Sequence, residues 1–275
     1  VWLARLNLNY EFLNPKTVVR DSHEGPLRIL KSLYPEDPKI CHNVLVHPPS
    51  GLVGGDQLKI ELDVGEHSHA LITTPGATRF YGSEGVLATQ SLSARVKNHA
   101  RLEWLPLESI AYNSTCALNQ MCFTLEPQAQ MLAWDVTQLG LPSANKPFQE
   151  GVFSQHFEIH NTWLDKANIQ ATDTRLLESK LGLAGKKCMG TLVMAQGSPF
   201  DLSLIARQIE LTQSALTSLN KELLAGVTSP NPKVIVLRVL SLDVETSLNL
   251  LKKIWKIWRA SWWNLSTNEP RIWAS

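Results

Sequence analysis

The sequence predicts an α+β protein, mostly β: a layered β-sheet scaffold carrying two C-terminal helices. Three observations lead there. Short strand-like pieces separated by turn residues recur through about residue 195. One of them alternates Leu58, Ile60, Leu62 and Val64 with Lys59, Glu61 and Asp63, aliphatics on one face and charges on the other. From Ser198 onward the apolar residues take up helical spacing. Residues 1–275 read as a single domain, β-rich over 1–197, with a helix–strand–helix segment at 198–263 packed on it.

Taken in order, residues 1–12 alternate weakly and suggest an opening strand, ended by Asn14-Pro15. Thr17 to Arg20 is a β-branched run, and Gly25-Pro26 starts a segment to Leu33 before the rigid turn Tyr34 to Pro38. Further strands are expected at Val86–Val96, Arg101–Leu105, Ser109–Asn113, Met121–Leu125, Gln130–Val136, Gly151–Ile159 and Gly190–Met194. No solenoid period stands out. Ser198-Pro199-Phe200-Asp201 resembles a capping box opening a helix through Leu219 and Leu223, with Gly226 as its stop. Pro230 and Pro232 then break the chain before a buried strand, Lys233 to Ser241. Asp243 caps a second helix, with Leu248, Leu251, Trp255, Trp258 and Trp262 on one stripe and Lys252, Lys253, Lys256 and Arg259 on the other side.

The densest turn chemistry lies between His42 and Ser83. Pro48 and Pro49 stiffen the approach to a loop in which Gly51, Gly54 and Gly55 permit positive φ and close backbone approach. Asp56 follows. If the strand at 58–64 extends back two residues, Asp56 shares the parity of the aliphatics, and an inward carboxylate needs a donor, a cation or a metal. Alternatively it caps the turn by accepting neighbouring amide hydrogens. The glycines precede the strand and no Lys-Ser or Lys-Thr follows, so phosphate-loop and dinucleotide fingerprints are both absent.

Composition excludes little but usefully. The chain of 275 residues carries a formal net charge of +1, which gives no general attraction for nucleic acid or a membrane surface. No apolar run is long enough to span a bilayer, and the opening residues show no secretion signal. The four cysteines (Cys41, Cys116, Cys122, Cys188) form no CxxC pair and fit reduced thiols and a cytoplasmic location.

Candidate ligands are the histidines. His67 and His69 share a face if they lie in a strand; His42 and His47 flank the Pro-Pro turn; His156 and His160, four apart, are not expected to converge in a β context. No HExxH, zinc-type Cys/His spacing or GxSxG elbow is present. Glu103, beside Trp104 in an alternating strand, reads as solvated. Five of the nine tryptophans (Trp255, Trp258, Trp262, Trp263 and Trp273) fall in the last 21 residues. Adjacent Trp262 and Trp263 cannot face the same way on a helix, so one is expected at a surface that, with Arg259, could meet a partner; a Trp-rich core edge plugged by the tail is the plainer alternative.

The blocks HPPSGLVGGDQLKIEL and HALITTPGATRFYGS resemble the urease accessory protein UreD (UreH) family. The likeness extends to Gly25-Pro26-Leu27-Arg28, Tyr34-Pro35-Glu36, Cys41-His42, Leu102 to Pro106, Leu237 to Leu240 and Pro270 to Trp273. Departures are Ser50 after the proline pair, Arg79, Gly82, Asp135 and Leu141. The resemblance implies a layered β fold and a non-enzymatic scaffold. It would bind apo-urease and UreF, and through UreF the GTPase UreG, and assist nickel delivery to the urease active site. It implies no tightly bound cofactor. It also places the family's Gly-Gly-Asp aspartate at Asp56, suited to transient nickel contact. Apart from the resemblance, His42, His47 and His69 are expected to extend that contact, since nickel accepts imidazole ligands. The rival reading is a metal-dependent hydrolase using Asp56, His42 and His47.

Overall fold

The computed structural model describes residues 2–49, 51–217 and 223–274, so Ser50 and Leu219 lie outside the described residues. The first strands are β1 (Leu3–Leu13), β2 (Lys16–Glu24), β3 (Arg28–Ile29), β4 (Ile40–Val46), β5 (Gly51–Leu52), β6 (Gln57–Val64), β7 (His69–Thr73), β8 (Thr78–Phe80) and β9 (Ala88–Val96). They continue with β10 (Arg101–Leu105), β11 (Ser109–Ala111), β12 (Thr115–Leu125), β13 (Gln130–Leu139), β14 (Gly151–Ile159), β15 (Trp163–Gln170), β16 (Cys188–Gln196), β17 (Leu224–Asn231) and β18 (Val234–Ser241). The helices are α1 (Thr174–Glu178), α2 (Leu202–Leu216) and α3 (Val244–Trp263).

Two sheets form the layers. A seven-stranded sheet runs β15-β14-β12-β9-β6-β1-β2, parallel from β14 to β1 with an antiparallel strand at each edge. A larger sheet runs β17-β18-β16-β13-β10-β7-β4-β3, with β13, β10, β7 and β4 parallel. The short strands β5, β8 and β11 attach beside β13. The chain crosses from one sheet to the other and back, β6 to β7, β9 to β10, β12 to β13, and each crossing lies beside the one before. Parallel neighbours are thus joined by winding round the core, where most parallel sheets use helices. Arg101 stands opposite both His69 and Gln130, so successive coils differ in length and leave no fixed period in the sequence.

The strands differ in what covers them. Leu6, Ile60, Leu92, Leu102, Phe123 and Phe153 fill the space between the sheets. A second core, including Trp134, Leu192, Leu237, Leu251, Trp255 and Trp258, lies between the larger sheet and α3. The larger sheet is therefore covered on both faces, while the seven-stranded sheet keeps one face open, where Lys59 and Glu61 are exposed.

Several sequence expectations are corrected. Helix α2 starts at Leu202 and ends at Leu216; Asp201 precedes it without a side-chain cap bond. Gly226 and Pro230 belong to β17, an edge strand paired with β18 alone, where a proline costs no ladder bond to a second neighbour. Asp243 does cap α3, accepting the Thr246 amide at 2.8 Å. Arg259 is on the buried stripe of α3, not its outer side.

Candidate functional site

The helix-covered face of the larger sheet carries a cluster of polar groups inside the second core. Strand parity puts Leu102 and Trp104 of β10 in the core between the sheets and leaves Glu103 facing α3. His69 on β7 and His42 on β4 share that face. Arg259 reaches down from α3, one helical turn beyond Trp255 and two beyond Leu251. Its Nε donates to Glu103 at 3.1 Å, and its Nη1 and Nη2 donate to the two oxygens of Glu36 at 2.6 and 3.0 Å. Trp255 Nε1 donates to Glu103 at 2.6 Å. His69 Nε2 lies 2.7 Å from Glu103, and His42 Nε2 lies 2.9 Å from Glu36. The result is a chain of contacts, His69–Glu103–Arg259–Glu36–His42, that joins three strands' worth of sheet surface to the helix.

Electrostatics hold the two carboxylates of this chain ionised. Burial works to raise the Glu103 carboxyl, but the His69 hydrogen bond and the Arg259 charge outweigh it and pull it down to about 2. Glu36 is also lowered: burial opposes, and His42 and Arg259 win. Burial lowers His69, offset in part by Glu103, so the ring is neutral at pH 7 and donates its Nε2–H to the carboxylate. Two carboxylates, Glu36 and Glu103, share the single guanidinium of Arg259. The tail closes it: the Ser266 carbonyl accepts from Arg259, Asn268 Nδ2 donates to the Pro35 carbonyl at 3.1 Å, and Trp273 donates to Thr73 at 2.8 Å. A cleft of about 540 Å³ lined by His67, His69, His99 and Arg101 opens at one end. Another of about 540 Å³, lined by His42, Asn43, Thr73 and the tail, opens at the other.

The family model described as UreD urease accessory protein matches residues 3–274. The chain belongs to the UreD urease accessory protein family. It is 53% identical over 279 residues to the urease accessory protein UreD of Albidiferax ferrireducens, covering 99% of each chain. It is 48% identical over 274 residues to that of Variovorax paradoxus, covering 100% of this chain and 99% of that protein. With that of Methylibium petroleiphilum, identity is 41% over 293 residues, at 99% of each.

In this UreD family member the residues singled out from sequence divide into two places. Asp56 does not point inward. The strand begins at Gln57, and Asp56 stays in the turn, where Oδ2 accepts the Val53 amide at 3.0 Å and Oδ1 accepts the Trp2 amide at 2.9 Å. Gly55 supplies the turn's positive φ of 90°, and a Cβ on Gly54 would stand 2.8 Å from that of Ser83. Pro48 and Pro49 are exposed at the neighbouring turn. His47 lies near this loop: burial lowers its pKa and the Asp56 charge opposes. His42 and His69 belong instead to the Glu36–Glu103 cluster. Among the described residues no hydrogen bond or ion pair joins Asp56 to His42 or His47, so the three residues of the hydrolase reading are not assembled by direct contacts.

The residues picked for partner contact are mostly inside. Arg259 is 0% exposed and Trp263 6%. Trp263 stands edge-on to His69 at 5.3 Å, under the Arg101 guanidinium at 5.0 Å. Trp262 is half-buried, stacked on Trp263 and edge-on to Phe200. Sequence reasoning missed Glu36 and Glu103. For Glu103 alternation gave the face correctly but not that α3 covers it; the signal for Arg259 was its place one turn beyond Trp255 on the apolar stripe.

Proposed function

We propose that this protein acts in urease maturation as a non-catalytic scaffold that binds apo-urease and UreF, with UreG joining through UreF, and assists nickel delivery. The observation that carries the reading is the family match over nearly the whole chain with relatives aligned end to end. A scaffold needs surface to dock, and exposed apolar residues gather round the Asp56 turn: Trp2, Val53, Val86 and Leu87. The Asp56 carboxylate ties Trp2 to Val53, and Gly55 donates to the Leu87 carbonyl, so the loop presents them as one rigid knob. This knob suits partner contact better than Trp263 and Arg259, which are buried.

Nickel is cargo here. Histidines 42 and 69 each line a cleft and are borderline nitrogen donors, suited to brief contact with the ion, whereas both Asp56 oxygens are taken by backbone amides. The test is the nickel content of urease matured with its other accessory proteins, with and without this chain. Loading is expected to collapse without it and to fall with the His42→Ala, His69→Ala double variant. Unchanged loading in the chain's absence sinks the scaffold reading; unchanged loading in the double variant removes the histidines from the nickel route.

A further inference from the structure

The open face of the seven-stranded sheet carries a second group of metal-ligating side chains, far from the Glu103 cluster in the fold because it lies on the other sheet. β14 places His156 and Glu158 two residues apart on one face, and β12 places Cys122 directly opposite Glu158. One ligand atom from each of the three lies within 4.8 Å of the others. His156 Nε2 stands 2.8 Å from Glu158 Oε2, Cys122 Sγ 3.9 Å from the same oxygen, and His160 Nδ1 3.7 Å from Glu158 Oε1. His156 and His160 therefore do converge, from either side of the glutamate between them.

We infer that Cys122, His156 and Glu158 form a binding site for a divalent cation of the zinc and nickel class, with His160 or water as the fourth ligand. Ligand atoms on one such ion stand about 3.3–3.8 Å apart, given bonds of about 2.0–2.3 Å, so the three atoms need move little. A thiolate and an imidazole select borderline divalent ions over magnesium or calcium, which require oxygen donors. On binding, the Cys122 thiol gives its proton to solvent. Thiolate and carboxylate then neutralise the two positive charges of the ion. Without an ion the group holds the fold weakly: a half-buried His–Glu pair is screened by solvent and a thiol is a weak donor. The site is independent of the maturation reading, since it shares no residue with the loop knob or the buried cluster.

The test is an anaerobic titration of the full chain with Co²⁺, which reports sulfur ligation as a thiolate-to-cobalt charge-transfer band. One band saturating at one ion per chain is expected. It should vanish in Cys122→Ser, persist in Cys116→Ser, and require about tenfold or more Co²⁺ in His156→Ala. These side chains lie on an open face, and circular dichroism checks that the variants stay folded. Zn²⁺ or Ni²⁺ should displace cobalt, and Mg²⁺ should not. No band, a band surviving Cys122→Ser, or unchanged affinity in His156→Ala overturns the site.

Discussion

The two sheets are built from the same winding chain, yet their polar residues live in different media. On the seven-stranded sheet, charges such as Lys59 and Glu61 point to water, as a period of two implies for a strand covered on one face. On the larger sheet, Glu103 occupies the equivalent parity of an alternating strand and is 0% exposed, because α3 and the tail lie over it. Position along a strand decides which face a side chain takes. Whether that face is wet is decided by a helix more than a hundred residues away. A carboxylate on the first sheet needs no partner; on the second it requires Arg259, His69 and Trp255 together.

The largest effect should come from breaking the covered side. Arg259→Met leaves Glu36 and Glu103 facing each other across a dry gap, and loss of one partner from a buried ion pair costs about 3–5 kcal/mol. Urea denaturation measures it. A loss below about 1 kcal/mol would mean that water reaches the cluster and that the two faces are less different than their burial indicates.

The same cluster should make the fold acid-sensitive in a defined window. Glu103 is depressed from an ordinary glutamate value to about 2, so its stabilising contribution is complete above the unfolded value and fades as pH falls through the folded one. Roughly 3 kcal/mol is at stake between about pH 4.5 and 2. Glu103→Gln should flatten that part of the stability curve. An unaltered acid limb would place the sensitivity elsewhere.

These two residues also mark where sequence reading stops. The strands at Arg101–Leu105 and Gly151–Ile159, the face assignment of β6 and the Asp243 cap were all legible, since each depends on neighbours within a few residues. The winding was not, because β6, β9 and β12 pair across coils of unequal length with no repeated motif. For Asp56 the sequence left two readings open, an inward carboxylate or a turn cap; the strand begins at Gln57, one residue too late for the first, and the turn cap is what forms. Glu103 and Arg259 each looked solvated until the helix was docked.

Asp135 sharpens the contrast from the interior between the sheets. Burial, with the nearby Asp165 charge, pushes it up to about 6 despite hydrogen bonds from Asn119 and Gln155. Here the folded value is raised, so the native state holds a proton that the unfolded chain releases, and stability falls as pH rises from about 4 to 6. Asp135→Asn should therefore be more stable than the parent at pH 7, by about 1–3 kcal/mol, with the gain gone by about pH 4. Thermal melts across that range check it; a destabilised variant at pH 7 would show that the ionised carboxylate is the form its amide partners favour.

The smallest effect belongs to the open face. Lys59 and Glu61 lie on β6, between β1 and β9, and their outward side chains meet solvent. Among the described residues, replacing either with Ala removes no hydrogen bond or ion pair, so the change should stay within about 0.5 kcal/mol. Measured beside Arg259→Met, this gives the energetic distance between a wet and a covered face of sheets in one molecule. A loss of about 2 kcal/mol or more at Glu61 would mean that the open face is engaged by something in solution, a second copy of the chain being the first to check by its sedimentation.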